Sequence, residues 1–119
     1  MALYAQILGL DTRNACKYNV CMQEIRFEWD DTKARQNRRK HRVSFQEART
    51  VFADEHALLL DDPDHADEED RFILLGLSSK LRTLVVCHCY RKPHEIIRII
   101  SARKANRKER DTYNRRWFR

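Results

Sequence analysis

The sequence is poor in the two residue types that most often interrupt regular structure. Its 119 residues include only two glycines and two prolines. Glycine and proline mark turns and loops, so their scarcity argues against a loop-rich chain and against a sandwich of many short strands. We therefore predict long regular elements in a single domain, because a chain of this length folds around one core.

The chain also lacks the patterns of a metal site and of a membrane span. The spacing of Cys16, Cys21, Cys87 and Cys89 is not that of a zinc site. Alternation along a strand would place His88 on the side opposite to Cys87 and Cys89. We predict no metal, no cofactor and free thiols in a reducing cytoplasm. No apolar run approaches the ~18 residues of a transmembrane helix, and no signal-peptide pattern is present.

Charge, in contrast, is plentiful and unevenly distributed. Charged residues make up 35% of the chain and the formal net charge is +6, which indicates an anionic partner, most commonly nucleic acid. Residues 33–42 and 103–119 are rich in Lys and Arg, whereas residues 54–70 contain acids and no Lys or Arg. Each block alone is typical of a solvated helix face. Two basic blocks separated by an acidic one favour a shared groove for an anion.

Hydrophobic periodicity predicts an α+β fold. Strands are predicted at 25–29, 57–60, 71–77, 82–90 and 95–102, and helices at 32–41, from Ser44 onward, and at 104–114. The last four strands are joined by short connections, which predicts a small antiparallel sheet with two N-terminal helices on one face and a C-terminal helix. Residues 1–21 have weak periodicity. We predict that they form an extension outside the core, residues 22–119 being the domain; one hypothesis is translation from an upstream start codon.

Several local signals refine these elements. Ser44 and Glu47 have the spacing of a capping box, and Gly76 within a strand indicates a close backbone approach. Ser101 is a candidate N-cap for the last helix, on the side of its strand opposite to Arg98. Arg98 lies among four isoleucines, where an unpaired guanidinium is costly. It therefore needs either a carboxylate partner or a wet cleft that binds an anion.

Three stretches of the sequence resemble one protein family. They are FEWDDTKARQNRRKHRVSFQEARTVFAD, DDPDHADEEDRFILLGLSS and RIISARKANRKERDTY, in that order along the chain. Together they resemble the BrnT family of bacterial toxins over about residues 27–113. The resemblance implies a RelE-like fold, RNA cleavage that arrests translation, and a BrnA-type antitoxin that represses the shared operon by binding operator DNA. Arg42 departs from the family, which often has glycine after Lys-His.

The chemistry of a metal-independent ribonuclease selects the candidate residues. The RNA 2′-hydroxyl must lose a proton as it attacks the adjacent phosphate, the leaving oxygen must gain one, and the phosphorane charge must be stabilised. Histidine suits the proton transfers and arginine suits the phosphate. The predicted catalytic residues are His88, Arg98, Arg71, His41 and Lys40. The predicted RNA phosphate ligands are Arg103, Arg91 and Lys104.

Each candidate also has a structural interpretation. His88 could be a core histidine, His41 a cation at a helix C-terminus, and Arg98 half of an ion pair. His65 is more typical of a solvated loop, while Tyr90 and Tyr113 fit either base stacking or the core.

Two other functions also fit the sequence. One is a non-catalytic basic module that binds nucleic acid or acts as a corepressor. The other is a toxin that poisons a topoisomerase through protein contacts on the same scaffold. The basic helix at 33–42 and the C-terminal helix are the predicted surface for an antitoxin.

Overall fold

The computed structural model describes residues 25–62, 71–91 and 96–115. The strands are β1 (Arg26–Glu28), β2 (Leu58–Asp61), β3 (Arg71–Leu77), β4 (Thr83–Arg91) and β5 (Ile96–Lys104). The helices are α1 (Asp31–His41), α2 (Phe45–Thr50, continued by the 3₁₀ turn Val51–Ala53) and α3 (Arg107–Arg115). The predicted α+β class is confirmed. The predicted extension at residues 1–21 lies outside the described residues.

The five strands form one sheet in the order β1-β5-β4-β3-β2. Strands β2 to β5 form the predicted antiparallel meander. Strand β1 differs, because it pairs in parallel with β5 and makes the sheet mixed. Because no hairpin connects β1 to β5, the direction of β1 is set by packing. The ring of Phe27 on β1 lies in the main core, 5.2 Å from the ring of Phe52 between centroids.

Helices α1 and α2 cover one face of the sheet, which we call the helix face. The main core lies between these helices and the sheet and includes Phe45, Leu84, Val86 and Ile97. Glycine is required at position 76, because a Cβ there would lie 2.8 Å from Val51 Cγ1. The predicted close backbone approach is therefore confirmed, since no larger residue fits between β3 and the 3₁₀ turn.

Helix α1 is attached to β5 by a buried amide that sequence reasoning missed. Asn37 Nδ2 donates to the carbonyls of Val43 (2.9 Å) and Ala102 (2.8 Å), and Ala102 N donates to Asn37 Oδ1 (3.1 Å). The helix ends at Arg42, which has φ 58° and whose N–H donates to Arg38 O. A left-handed residue at this position explains why glycine suits it.

Helix α2 begins with half of the predicted capping box. Ser44 Oγ accepts a hydrogen bond from Glu47 N at 3.1 Å. The Glu47 carboxylate does not return to the cap. It is buried, accepts from Ser78 Oγ (2.7 Å) and pairs with the Arg82 guanidinium, whose Nε lies 2.9 Å from Glu47 Oε2. These contacts attach α2 to the turn between β3 and β4 and lower the pKa of Glu47, with the Arg82 hydrogen bond the largest cause.

Strand β5 contains an irregularity that overturns one prediction. His88 pairs with Ile99 and Cys87 pairs with Ser101, so Ile100 is an extra residue in the β4–β5 ladder. A bulge of this kind reverses the alternation of sides beyond it. Ser101 therefore lies on the same side of the sheet as Arg98, and the prediction that they face opposite ways is wrong.

The start of the last helix was also predicted wrongly. Strand β5 continues to Lys104 and α3 begins at Arg107, because strand pairing extends to Lys104 opposite Leu84. Ser101 remains within the strand and is not the N-cap. Asn106 takes that role: its Oδ1 accepts from Glu109 N (2.8 Å), and Glu109 Oε1 accepts from Asn106 N (2.9 Å).

Candidate functional site

A row of four residues crosses the sheet on the face opposite to α1 and α2. Glu28 on β1 pairs with Arg98 on β5, Arg98 pairs with Cys89 on β4, and Cys89 pairs with Arg71 on β3. Residues paired across strands share a side of the sheet. Tertiary structure therefore brings two of the predicted catalytic arginines, Arg71 and Arg98, to one face. We call this the arginine face.

A single carboxylate organises the arginines at one end of this row. Glu28 Oε1 lies 3.3 Å from Arg98 Nη1 and 3.4 Å from Arg91 Nε. The side chain of Arg91 is 53% exposed and that of Arg98 is 29% exposed, so both guanidinium groups remain within reach of solvent. Sequence analysis anticipated a carboxylate partner for Arg98 but did not identify Glu28 as that partner. The alternation in β1, which turns Glu28 away from Phe27, was the available signal.

The thiol of Cys87, on the same face as the arginines, stays protonated near neutral pH. Burial raises the pKa of Cys87 to about 11, and a hydrogen bond from its Sγ to Asp62 Oδ2 at 3.5 Å acts in the same direction. Cys89 is buried, and both cysteines carry thiols. Only a thiolate attacks or binds a metal effectively, so Cys87 contributes packing rather than nucleophilic chemistry.

Arg103 also lies on the arginine face, but its guanidinium is occupied. Its Nη1 and Nη2 each lie 2.8 Å from an oxygen of Glu109, one contact to each oxygen. This two-pronged pair attaches the first turn of α3 to β5. The hydrogen bond raises the pKa of Arg103 and lowers the pKa of Glu109, opposed in each by partial burial. Arg103 would have to release Glu109 to bind an RNA phosphate through both prongs.

His88 lies on the helix face, away from the arginines. It is completely buried, with its ring 4.9 Å from Phe52 and 5.4 Å from Tyr90 between centroids. Its Nδ1 lies 3.2 Å from Val86 O, and burial lowers its pKa to about 4. In this geometry His88 has the surroundings of a core histidine and has no path to a phosphate held by Arg98.

The other predicted residues do not join the row of Glu28, Arg98, Cys89 and Arg71. Lys40 and His41 belong to the last turn of α1, and Lys104 pairs with Leu84, a residue of the main core. They are not brought together with Arg71 and Arg98. Tyr113 is buried, and its hydroxyl donates to Asp54 Oδ2 at 2.6 Å. His65 lies outside the described residues.

Two classes of site are not found in the described part of the chain. Residues 25–62, 71–91 and 96–115 contain no group of three His, Cys, Asp or Glu side chains placed to hold a metal ion. The same residues contain no helix that is long and apolar enough to cross a membrane.

The sequence and the fold of this chain are similar to those of known proteins. A family model described as "Ribonuclease toxin, BrnT, of type II toxin-antitoxin system" matches residues 29–109. Among solved structures, the Brucella abortus ribonuclease toxin BrnT is 24% identical with a TM-score of 0.54, over 70% of this chain and 99% of that one. That similarity supports the fold. The search of curated proteins found no match. Because the family model spans more than half of the sequence, the chain belongs to the BrnT family of ribonuclease toxins of type II toxin–antitoxin systems.

Proposed function

We propose that this toxin is a metal-independent endoribonuclease that cleaves RNA on the arginine face and thereby blocks translation. The observation that carries the proposal is the contact of one carboxylate, Glu28, with two partly exposed guanidinium groups, those of Arg91 and Arg98. A phosphodiester needs fixed positive charge, and a 2′-hydroxyl needs a proton acceptor beside it. These three side chains supply both on one surface.

The roles follow from the chemistry of each group. Arg98 and Arg91 bind the non-bridging phosphate oxygens and stabilise the additional charge of the phosphorane, since a guanidinium matches phosphate oxygens and stays charged. Arg71, at the other end of the row, holds a neighbouring phosphate. Glu28 accepts the proton of the 2′-hydroxyl as the 2′-oxygen attacks phosphorus. The bond from phosphorus to the 5′-oxygen breaks, the 5′-oxygen takes a proton from water, and the resulting hydroxide takes the proton from Glu28.

The base in this proposal is Glu28 and not a histidine. His88 is buried on the other side of the sheet and its pKa is depressed, so it neither reaches the phosphate nor gains a proton near neutral pH. Lys40, His41 and Lys104 lie with the helices and take no part in the chemical step. Phosphate binding by Arg103 is retained only as a secondary contact, because Glu109 already occupies it.

The partner proposed for this toxin is a BrnA-type antitoxin. The type II family implies an antitoxin protein, and an excess of basic residues gives such a partner a surface of opposite charge. Operator DNA is then contacted through the antitoxin rather than by the toxin. Cytoplasmic action is part of the same proposal, because the RNA that supports translation is found there.

The test is cleavage of a labelled RNA by the purified protein in EDTA. Arg98→Ala and Glu28→Gln are each expected to lower the rate by about 100-fold or more, which is the usual effect of losing a charge-stabilising or proton-transfer group. Arg107→Ala, at an exposed arginine in the first turn of α3, is the matched control and should change the rate less than twofold.

The products and the variants together decide the outcome. Fragments that end in 2′,3′-cyclic phosphate support attack by the 2′-hydroxyl. If RNA stays intact in EDTA with the wild-type protein, and also after ribosomes are added, the ribonuclease proposal is refuted in favour of a binding or topoisomerase-directed function. If Glu28→Gln retains full activity while Arg98→Ala loses it, the carboxylate only positions the arginines.

A further inference from the structure

A second positively charged site lies beside α1 and α2, on the side of the sheet opposite to the arginine face. It is a cleft of about 440 Å³ between the end of α1 and the turn that joins β3 to β4. Its lining residues are Arg38, Arg39, Arg42, Ser44, Glu47, Lys80 and Arg82. Five of these are basic and one is acidic. None of the proposed catalytic residues belongs to this cleft.

Most of the positive charge in the cleft is not neutralised. The carboxylate of Glu47 is taken up by Arg82 and Ser78. Within the residues that the structure describes, the side chains of Arg38, Arg39, Arg42 and Lys80 form no ion pair with a carboxylate, and all four residues are exposed. Among the described residues, the cleft therefore presents four cations without a carboxylate partner to a ligand.

The walls of the cleft are fixed in place before any ligand binds. Arg82 Nη2 donates to the carbonyl of Arg42 at 3.2 Å, and its other contacts hold it to Glu47. Asn37 attaches α1 to β5 one helical turn before Arg42. A preorganised site loses less conformational entropy when it binds, so these contacts favour a specific ligand over a diffuse ion atmosphere.

A groove with an aromatic floor joins this cleft. It has a volume of about 190 Å³ and lies between α1 and α2; Arg38 and Ser44 line both hollows. Trp29 and Phe45 pack edge to face at 5.9 Å between ring centroids, and Ala34 lies beside them. Asp31 and Arg35 also line the groove. The surface therefore passes from the cations of the cleft to the partly buried ring of Trp29.

We propose that the cleft and groove together dock an acidic peptide segment of a protein partner, with carboxylates on the cations and an apolar side chain against Trp29. A peptide supplies both chemistries within a few residues, carboxylates for the cations and an apolar side chain for Trp29. RNA has its own proposed site on the arginine face, on the other side of the sheet, which leaves this groove for a different ligand. The identification of the partner as the antitoxin rests on the proposed function; the docking surface itself does not.

The test uses two labelled probes with the full-length protein. One probe is a fluorescein-labelled peptide of about twelve residues that combines Asp and Glu with two leucines, and the other is a fluorescein-labelled RNA of about ten nucleotides. The double variant Arg39→Glu with Lys80→Glu reverses two charges of the cleft. The double variant Arg107→Glu with Lys108→Glu makes the same change of charge on the exposed surface of α3.

The proposal predicts different responses from the two probes. The cleft variant should bind the peptide at least about tenfold more weakly in fluorescence anisotropy, as expected for the loss of charge complementarity at an interface, while the α3 variant stays within about twofold of wild type. RNA cleavage by the cleft variant should equal that of wild type.

Two results would overturn the inference. The first is equal weakening of peptide binding by both variants, which shows attraction to net charge only. The second is a cleft variant that loses RNA binding or cleavage, which assigns the cleft to RNA. Absence of cleavage by the wild-type protein refutes the proposed function and leaves the peptide measurement intact.

Discussion

Asn37 and Ala102 are joined by hydrogen bonds in both directions, although 65 positions separate them along the chain. The side-chain amide of Asn37 bonds to both the N–H and the carbonyl of Ala102, as the backbone of a neighbouring strand does. It also donates to Val43 O. One side chain therefore satisfies three backbone groups where α1 crosses the bulged strand β5. The arginine face depends on this contact indirectly, because it fixes the far half of the strand that carries Arg98.

Replacement of that amide should destabilise the protein strongly. Asn37→Ala leaves three backbone groups without their partner, and we expect a loss of about 3 kcal/mol in the free energy of unfolding, given the cost of unsatisfied buried polar groups. Urea denaturation followed by circular dichroism measures it. Gln36→Ala, at the exposed preceding residue, should cost less than about 0.5 kcal/mol. Equal losses in both variants would contradict the assigned role.

A substitution at Arg42, in contrast, is expected to stabilise the protein. Its φ of 58° is strained for a residue with a Cβ and costs about 1 kcal/mol. Arg42→Gly should therefore raise the free energy of unfolding by about 0.5 kcal/mol or more once the greater flexibility of unfolded glycine is subtracted. Arg39→Gly, the same replacement inside α1, should lower it by about 1 kcal/mol. A destabilised Arg42→Gly protein would show that the arginine side chain matters more than the backbone strain.

The buried imidazole of His88 predicts a dependence of stability on pH. Above pH 6.5 the ring is neutral in both folded and unfolded chains and has no effect. Below pH 6.5 the unfolded chain binds a proton that the folded chain does not accept until its pKa of about 4, so stability falls. Between pH 6.5 and 5 the expected loss is about 2 kcal/mol.

His88→Leu should remove this part of the pH dependence. Urea titrations at pH 6.5, 5.75 and 5 compare the variant with wild type, and the acids with lowered pKa values do not interfere because they titrate below that range. An unchanged slope in His88→Leu would mean that His88 is protonated in the folded protein.

The Glu47–Arg82 pair should stabilise the fold at neutral pH and lose its effect in acid. Glu47→Gln keeps the shape but removes the charge that Arg82 needs, and we expect a cost of about 2 kcal/mol, below the usual cost of a broken buried pair because Arg82 is 30% exposed. The pKa of Glu47 is lowered, so the stabilisation exists above the ordinary value and disappears as pH falls through the folded-state value. The difference between variant and wild type should therefore shrink at pH 3. Glu55→Gln, at an exposed acid, should have little effect at either pH.

Much of the fold followed from local patterns. The order of elements, the limits of β3 and the start of α2 at Ser44 agree with the periodicity and capping signals, because these depend on neighbours within a few residues. The bulge at Ile100 did not follow, since it is a property of pairing between β4 and β5. The parallel direction of β1 was likewise set by packing against a strand from the other end of the chain.

The sequence by itself determined the α+β class, the excess of positive charge and the likeness to ribonuclease toxins. Tertiary structure decided which charges act together. It buried His88 in the core, paired Arg103 with Glu109, and placed Arg71, Arg91 and Arg98 on one face, with Arg91 and Arg98 in contact with Glu28. The physical reason is that the side on which a strand residue lies depends on register and bulges, and these are fixed by contacts between segments far apart in sequence.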